Sequence, residues 1–323
     1  MKALVVQHSG NPSHTVIEER PIPLPKPGFS LVRMKAATLN QLSNTVRSGG
    51  MSAARMPLVL GNEGAGIVES GERFAAGTRV AVYGGGQLGI TEDGLQQQWA
   101  LVEDQRLFEL PANLDVNEGA AITVNYITAY QAINRVAELK PGQTVLVSGA
   151  SGSLGHALMQ MVAALGATPV AIVSTAAKAR KVAEAGAKHV IDLSVQDVTA
   201  AVKQITAGQG ADLAFDPVGG AVLSQLLRAI NPRGSVIAIG FAGGVETTVD
   251  TVDLIVHEKR LLGYDLHLET DADVIRVLAE LHALISQGLL KPLIDSTFPL
   301  EESERGYQRL ASREAMGAVV LQL

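Results

Sequence analysis

The 323-residue sequence predicts an α/β protein in which a doubly wound parallel sheet is combined with a second, β-rich domain. The length is about twice that of a typical single domain. Short strands separated by Gly and Pro fill the first third of the chain, and strands alternate with helical segments in the middle. We therefore expect two domains, each with its own core.

The first third, residues 1–120, has the composition of short antiparallel strands. Its short strand-like segments are punctuated by Gly and Pro, which is typical of strands that turn back on one another. The segments are KALVVQ, PIPLPKPG, FSLVRMKAATL, GAGIVESG, GTRVAVYGGG and QQWALVEDQRLFELP. This part is predicted to be a barrel-like domain.

From about Thr123 the pattern changes to alternating helices and strands. A helical run, NYITAYQAINRVAEL, precedes five short apolar strands: TVLVSG, TPVAIVS, HVIDL, DLAFDPV and SVIAIG. Alternation of this length predicts parallel strands with helices on both faces. The tail returns to mixed structure, with a helix from about Asp273 to Gly288 and a last strand, AVVLQL.

The composition excludes several classes of function. Lys and Arg total 26 against 32 Asp and Glu, a formal charge of -6, and no block of like charges occurs. We therefore expect no nucleic-acid partner. The chain has no cysteine, which removes disulfides, thiolate nucleophiles and Cys-ligated metals.

No membrane-spanning segment is predicted. The most apolar stretch, residues 154–173, is interrupted by His156, Gln160 and Pro169 and is typical of a helix followed by a strand. The start, MKALVVQHSG, lacks the long apolar region of a signal peptide. We expect a cytoplasmic protein with no membrane partner, which the lack of cysteine fits.

The segment SGASGSLG, residues 148–155, lies between a predicted strand and a predicted helix. It fits the dinucleotide-binding pattern G-x-G-x-x-G with an alanine in the first position. The predicted cofactor-binding residues here are Ala150, Ser151, Gly152, Ser153, Leu154 and Gly155. A glycine-rich turn without a ligand is the alternative, and the strand–helix–strand pattern that follows disfavours it.

The end of the next strand predicts which cofactor binds. An NAD enzyme usually has an acid about 20 residues after the glycines. Here Ser174 and Thr175 stand in that place, and Lys178 follows them. With no carboxylate to repel a 2′-phosphate and a cation to attract one, we expect NADPH. The alternative for Lys178 is an ordinary solvated helix face.

Several segments together resemble the medium-chain dehydrogenase/reductase superfamily, and within it the zinc-free quinone oxidoreductases. They are LNQLSNTVRSG, LGNEGAGIVESG, GTRVAVYG, VNYITAYQAI, LKPGQTVLVSGASGSLG, AGAKHVID, FDPVGG, NPRGSVIAIG and LLKPLIDSTFPLEES. The resemblance implies a GroES-like catalytic β-barrel domain, residues 1–122 and 266–323, and a Rossmann NADP(H)-binding domain, residues 123–265. It also implies a homodimer joined through the edge strands of the cofactor domains.

The resemblance also implies an enzyme without a metal. Zinc-dependent members of the superfamily carry Cys and His ligands where this chain has Leu42 or Ser43, and Asn62. Without a metal to polarise an alkoxide, the easier reaction is hydride transfer to an acceptor that is already electrophilic. We therefore expect quinones or activated α,β-unsaturated carbonyls as substrates.

The predicted catalytic residues come from the same resemblance. A family segment of the form N-x-x-D-x-x-x-R-x-G is represented here by Asn40, Ser43, Arg47 and Gly49. Asn40 would donate a hydrogen bond to the acceptor carbonyl, and Ser43 replaces the usual acid. Thr128 would lie beside the nicotinamide, although a hydroxyl satisfied within its helix is the alternative.

Four further cofactor contacts are implied at predicted strand ends: Val218, Gly240, Phe241 and Ala242. The segment GNEG also resembles the enoyl thioester reductases, but the tyrosine that those enzymes use is missing from the stretch SGGMSAAR. Two alternatives to a quinone reductase therefore stay open. One is an enoyl thioester or enone reductase of a dedicated pathway, and the other is an NADPH-binding sensor with little turnover.

Overall fold

The computed structural model describes residues 1–323, and the chain forms two compact units. Unit 1 comprises Met1–Ile127 and His267–Leu323, and unit 2 comprises Thr128–Leu266. The assignment of residues 123–265 to cofactor binding stays a prediction. None of the helices is both long and apolar enough to cross a membrane.

The regular elements are sixteen strands and ten α-helices. The strands are β1 (Lys2–His8), β2 (His14–Glu19), β3 (Phe29–Leu39), β4 (Leu58–Val59), β5 (Glu63–Ser70), β6 (Arg79–Tyr83), β7 (Trp99–Glu103), β8 (Leu107–Glu109), β9 (Thr144–Ser148), β10 (Thr168–Val173), β11 (His189–Asp192), β12 (Ala211–Asp216), β13 (Ile230–Ala238), β14 (Arg260–Gly263), β15 (Ile294–Pro299) and β16 (Ala318–Gln322). The helices are α1 (Gln41–Arg47), α2 (Val116–Ala120), α3 (Thr123–Gln131), α4 (Ser153–Ala164), α5 (Ala176–Glu184), α6 (Val198–Ile205), α7 (Gly220–Ala229), α8 (Thr251–Val256), α9 (Asp271–Ser286) and α10 (Ser303–Ala311).

Unit 1 is built on two sheets. The larger has the strand order β15-β16-β3-β5-β6-β8, with β7 also paired to β3, and the smaller has the order β2-β1-β4. In the antiparallel β3–β5 pair, Ala37 is opposite Gly64. A Cβ on Gly64 would lie 2.8 Å from the carbonyl oxygen of Ala36, so the two strands approach closely there. This register brings the end of β3 beside the start of β5.

The segment PIPLPKPG, predicted as part of the strand-rich region, is not a strand. The second strand is instead β2, His14–Glu19, which pairs with β1. The four prolines of PIPLPKPG lack the N–H groups that a sheet ladder needs, and this outweighs their apolar neighbours.

Unit 2 is a doubly wound parallel sheet, as the sequence predicts. Its strand order is β11-β10-β9-β12-β13-β14, and all pairs are parallel. This is the order of a dinucleotide-binding fold, in which ligands bind at the carboxyl ends of the strands. The sixth strand, β14, was not predicted because it has only four residues and is largely exposed.

One hydrophobic core of unit 2 lies between this sheet and helices α6 and α7. It contains Leu146, Val170, Ile172, Ile191, Val198, Ala201, Val202, Leu223, Leu226, Leu227 and Val236. In α6 the buried residues follow the i, i+3, i+4 spacing of one helix face. Burying each large side chain contributes about 2 kcal/mol, and this holds the strand ends in fixed positions.

Candidate cofactor site and candidate active site

The glycine-rich segment forms a tight turn between β9 and α4. Gly149 has a φ of +57°, and its carbonyl accepts a hydrogen bond of 2.9 Å from the N–H of Gly152. The left-handed conformation that the turn needs is therefore supplied by Gly149. This explains why Ala150 can stand in the first position of the fingerprint.

Gly152 and Gly155 are required for different reasons. A Cβ on Gly155 would lie 2.2 Å from the carbonyl oxygen of Gly149, so the close packing of α4 on the turn needs a glycine there. Gly152 has a φ of -80°, and a Cβ on it would come no closer than 3.4 Å to the rest of the chain. Nothing within the protein requires a glycine at 152, whereas a phosphate approaching the backbone would.

The start of α4 offers backbone donors to an anion. Gly152 is the N-cap residue, and no side chain caps the helix. The first N–H groups of a helix have no partner within it, and the helix dipole favours a negative charge there. The turn thus fits the pyrophosphate of a dinucleotide, and the predicted residues 150–155 surround it. Ser151 is buried, and Ser153 and Leu154 are half-buried.

At the end of β10 the structure places hydroxyl groups and no carboxylate. Ser174 and Thr175 are exposed, and the Thr175 hydroxyl caps α5 by accepting from the N–H of Lys178 at 3.3 Å. Asp192, at the end of the adjacent strand, uses its Oδ1 to accept from the N–H and the hydroxyl of Ser194, at 2.9 and 2.7 Å.

Buried Asp216 organises the loop that follows β12. It accepts from the Ser148 hydroxyl, from the N–H of Val218 at 3.0 Å and from the N–H of Gly219 at 3.1 Å. Burial raises the pKa of Asp216, against the effect of these hydrogen bonds. A Cβ on Gly149 would lie 3.0 Å from Cγ2 of Val218. The loop therefore packs against the glycine-rich turn.

The remaining residues of unit 2 for which the sequence predicts a role lie after β13 and in α3. Gly240, Phe241 and Ala242 follow β13, and the N–H of Gly240 donates to the Asp216 carbonyl at 3.2 Å. Phe241 is 65% exposed. Thr128 is buried in α3, and its hydroxyl makes no hydrogen bond within the chain. The roles of these residues in cofactor binding and catalysis stay predictions.

In unit 1, Asn40 and Ser43 form a capping box at the start of α1. The Oδ1 of Asn40 accepts from the N–H of Ser43 at 2.9 Å, and the N–H of Asn40 donates to the Ser43 hydroxyl at 3.1 Å. That hydroxyl also donates to the Asn40 carbonyl at 2.9 Å. Ser43 is 2% exposed. The structure thus gives Ser43 a helix-capping contact, and its catalytic role stays a prediction.

The amide nitrogen of Asn40 is also engaged. It donates to Oδ1 of Asn62 at 2.8 Å and makes a longer contact, 3.4 Å, with the Thr38 hydroxyl. Thr38 is the penultimate residue of β3 and Asn62 immediately precedes β5, so the β3–β5 pairing brings these groups together.

Glu63 is a fully buried carboxyl group behind these amides. Its Oε1 accepts from the Thr38 hydroxyl at 2.8 Å, and its Oε2 accepts from the N–H of Val124 at 3.0 Å. The side-chain amide of Asn125 lies 3.4 Å from Oε1. Burial raises the pKa of Glu63 to about 7, against the effect of the hydrogen bonds from Thr38 and Val124.

The sequence predicts Asn62 only as the residue in the place of a zinc ligand of zinc-dependent relatives, and it predicts no role for Glu63. One signal was available: Glu63 opens a strand, EGAGIV, that contains no cation to pair with a buried acid. No group of three or more His, Cys, Asp or Glu side chains is arranged to hold a metal ion.

Comparison with known proteins agrees with this architecture. Residues 26–112 match the alcohol dehydrogenase GroES-like domain, and residues 153–282 match the zinc-binding dehydrogenase family. A quinone oxidoreductase of Lama guanicoe is 31% identical over 329 residues, which cover 100% of this chain and 98% of that protein. The chain belongs to the quinone oxidoreductase branch of the medium-chain dehydrogenase/reductase superfamily.

Other members of the superfamily resemble it along its whole length. A 2-haloacrylate reductase of a Burkholderia species is 28% identical over 99% of this chain and 98% of that protein. A mycobacterial protein whose solved structure is complexed with NADPH superposes with a TM-score of 0.87 at 26% identity, and an NAD-dependent alcohol dehydrogenase superposes with a TM-score of 0.90 at 27% identity. Each of these two matches covers 100% of this chain and 100% of the chain that it is compared with.

The predicted family and fold class are thereby confirmed. This quinone oxidoreductase-type chain is an oxidoreductase that uses a nicotinamide cofactor and acts on a small molecule.

Alanine substitutions at Gly152 and Gly155 should have different effects, one on cofactor affinity and the other on the free energy of unfolding. Gly152→Ala should leave the free energy of unfolding within about 1 kcal/mol of wild type and weaken NADPH binding at least about tenfold. Gly155→Ala should lower the free energy of unfolding by more than about 2 kcal/mol, because its Cβ meets backbone. Urea unfolding and NADPH fluorescence titration measure both. Unchanged NADPH affinity in Gly152→Ala would contradict the assignment.

The buried carboxyl of Glu63 should make the free energy of unfolding of this oxidoreductase depend on pH. Its pKa is about 7 in the folded chain against an ordinary value of 4.5. Between these values the folded chain holds a proton that the unfolded chain releases, so wild type loses stability as the pH rises. Relative to Glu63→Gln, wild type should be more stable at pH 5 than at pH 8 by about 2 kcal/mol.

Urea unfolding of both proteins at the two pH values measures this difference. Glu109→Gln, at an exposed carboxyl on β8, is the matched control and should follow wild type. Parallel pH curves for wild type and Glu63→Gln would show that burial does not perturb Glu63.

Proposed function

We propose that this protein is an NADPH-dependent reductase of quinones and activated α,β-unsaturated carbonyl compounds, and that it works without zinc. The observation that carries the proposal is the hydrogen-bonded amide pair of Asn40 and Asn62. These neutral amides lie near the positions that hold the zinc ligands in zinc-dependent relatives, and an amide N–H can donate a hydrogen bond to a substrate carbonyl oxygen.

The available ligands do not fit zinc. Catalytic zinc takes thiolate, imidazole and carboxylate ligands. This part of unit 1 offers two amides, the capping hydroxyl of Ser43 and the carboxylate of Glu63, whose oxygens accept from Thr38 and Val124. No step of the proposed reaction uses a metal.

The reaction needs little from the protein besides binding and orientation. The reduced nicotinamide, when bound, supplies the hydride. Addition of a hydride to an enone or quinone places negative charge on the acceptor oxygen, and an oriented N–H donor stabilises that charge. The proton can come from water, because the anions of hydroquinones and enols are protonated without strong acid catalysis.

The preference for NADPH is supported by the end of β10. Ser174 and Thr175 place no negative charge beside a 2′-phosphate, and Lys178 lies in the first turn of α5. A carboxylate at this position would instead accept from a 2′-hydroxyl. Of the two similar structures described above, one is complexed with NADPH and the other is NAD-dependent, so the preference for NADPH rests on the end of β10.

We also propose that two copies of the chain pair through unit 2. Strand β14 forms an edge of the parallel sheet, and Leu261 on it is 39% exposed. The neighbouring helix in sequence, α8, exposes Val252, Ile255 and Val256 by 67–70%. An apolar edge strand of this kind is suited to pairing with a second strand.

The function is tested by following cofactor absorbance with purified protein and a panel of quinones, enones and 2-haloacrylates. We expect acceptor-dependent oxidation of NADPH, faster than that of NADH and unchanged by EDTA. No turnover across the panel, or activity that EDTA abolishes and zinc restores, would overturn the proposal.

The preference for NADPH is tested with one variant that introduces a carboxylate at the end of β10 and with a control variant that introduces one elsewhere. Ser174→Asp should lower the ratio of kcat/KM for NADPH to that for NADH at least about tenfold. Ser286→Asp, at an exposed serine of α9 in unit 1, makes the same charge change and should leave the ratio unchanged. A ratio insensitive to Ser174→Asp would show that the end of β10 does not contact the 2′ position.

The pairing of two copies is tested by sedimentation equilibrium. We expect twice the 33.8 kDa mass of one chain. Because two charges would be buried in the interface, Val256→Glu combined with Leu261→Glu should give the mass of one chain. A wild-type mass of 33.8 kDa would contradict the proposed interface.

A further inference from the structure

Asn62 has a side-chain amide of which only one half is used within the protein. Its Oδ1 accepts from Nδ2 of Asn40 at 2.8 Å, while its own Nδ2 makes no hydrogen bond in the chain. The residue is only 4% exposed. The Nδ2 nitrogen is not among the fully enclosed side-chain atoms that lack a partner, so it keeps some contact with solvent and can donate to an oxygen from outside the chain.

The direction of this amide follows from its neighbours. The N–H of Ser43 donates to Oδ1 of Asn40, which turns the Asn40 nitrogen toward Asn62. A nitrogen donor must face an acceptor, so the Asn62 atom beside it is the oxygen. The nitrogen of Asn62 is therefore the half turned away from Asn40.

The backbone holds Asn62 from both sides. Gly61, with a φ of +99°, precedes it, and the N–H of Gly84 donates to the Asn62 carbonyl at 2.7 Å. A Cβ on Gly84 would lie 2.6 Å from that same carbonyl oxygen. A donor fixed in this way loses little entropy when it binds an acceptor atom.

We propose that Nδ2 of Asn62 is the hydrogen-bond donor to the carbonyl oxygen of the acceptor. This inference rests on the proposed reductase function and names the catalytic residue of that site. Asn40, whose amide is engaged on both sides, is then a positioning residue. Thr38 and Glu63 stand behind it, since the Thr38 hydroxyl donates to Glu63 and faces the Asn40 amide.

The role is specific in its chemistry. An amide N–H is a neutral donor, so it favours a carbonyl oxygen that gains negative charge during hydride addition. An acceptor with the same carbon–carbon double bond but no conjugated carbonyl would gain nothing from Asn62.

The test replaces the donor without changing the size of the side chain. In Asn62→Asp one carboxyl oxygen can still accept from Asn40, while the other no longer donates. We expect kcat/KM for enones and quinones to fall at least about 100-fold at pH 8, with the Kd for NADPH unchanged within about twofold. A fall of less than about threefold would overturn the assignment.

A pH profile separates catalysis from a structural role. When the introduced carboxyl is protonated it can donate again, so the ratio of kcat/KM of Asn62→Asp to that of wild type should rise as the pH falls. Glu63, the adjacent carboxyl, titrates in the same range and would respond to a charge at position 62. The same comparison of Asn62→Asp in a Glu63→Gln background with Glu63→Gln alone isolates the introduced carboxyl. A merely structural defect would lower the ratio equally at every pH, and that result would overturn the proposal.

A second variant guards against misfolding. If Asn62→Asp does not fold, Asn62→Ser and Asn62→Ala are compared, because serine keeps a donor and alanine has none. Serine should retain at least about tenfold more kcat/KM than alanine, and equal losses would overturn the assignment. Failure of the general proposal looks different, because wild type itself would then reduce no acceptor.

Discussion

The hydrogen bond between the Thr38 hydroxyl and the buried carboxyl of Glu63, 2.8 Å long, sets the direction of the polar groups around Asn40. It turns the Thr38 oxygen toward the Asn40 amide, and Asn40 in turn orients Asn62. The chain of contacts transmits orientation and not protons, because the amide nitrogen of Asn40 cannot accept a proton from Thr38. Burial of Glu63 is unfavourable for its charged form. Burying this carboxyl therefore lowers the free energy of unfolding where it is charged, while its hydrogen bonds hold the neighbouring donors in place, a balance that is common at functional sites.

Each unit contributes a different kind of rigidity to the proposed reaction. In unit 2 the close approach of Gly155 to Gly149 seats helix α4 on its strand and leaves the backbone in front of Gly152 open. In unit 1 the β3–β5 register places amides side by side. Both arrangements depend on backbone fixed by sheets, so the donors need no reorganisation when a ligand arrives.

The sequence predicts most of unit 2 because the relevant signals are local. The alternation of strands and helices identifies five of six strands, and the glycine pattern marks the turn at residues 148–155. The strand β14 escapes prediction because its four residues lie on an exposed edge. The hydroxyl groups at the end of β10, those of Ser174 and Thr175, are likewise found from their distance along the chain from the glycines.

The candidate active site is less predictable because its contacts are not local. Asn40 is identified from a motif, but its hydrogen bond to Asn62 joins residues 22 positions apart and depends on the pairing of β3 with β5. The link from Thr38 to Glu63 spans 25 positions. Patterns within a segment do not reveal such a register, which follows from close strand approach at Gly64.

The most direct test of the account is to follow deuterium from NADPH labelled at C4 of the nicotinamide into an enone in a single turnover. Direct transfer to an acceptor held by an amide donor predicts that deuterium from one face of the ring appears on the β-carbon of the product. It also predicts a solvent-derived proton on the α-carbon and no effect of EDTA. A β-carbon that carries solvent hydrogen instead would contradict direct hydride transfer and with it the role given to the oriented amides.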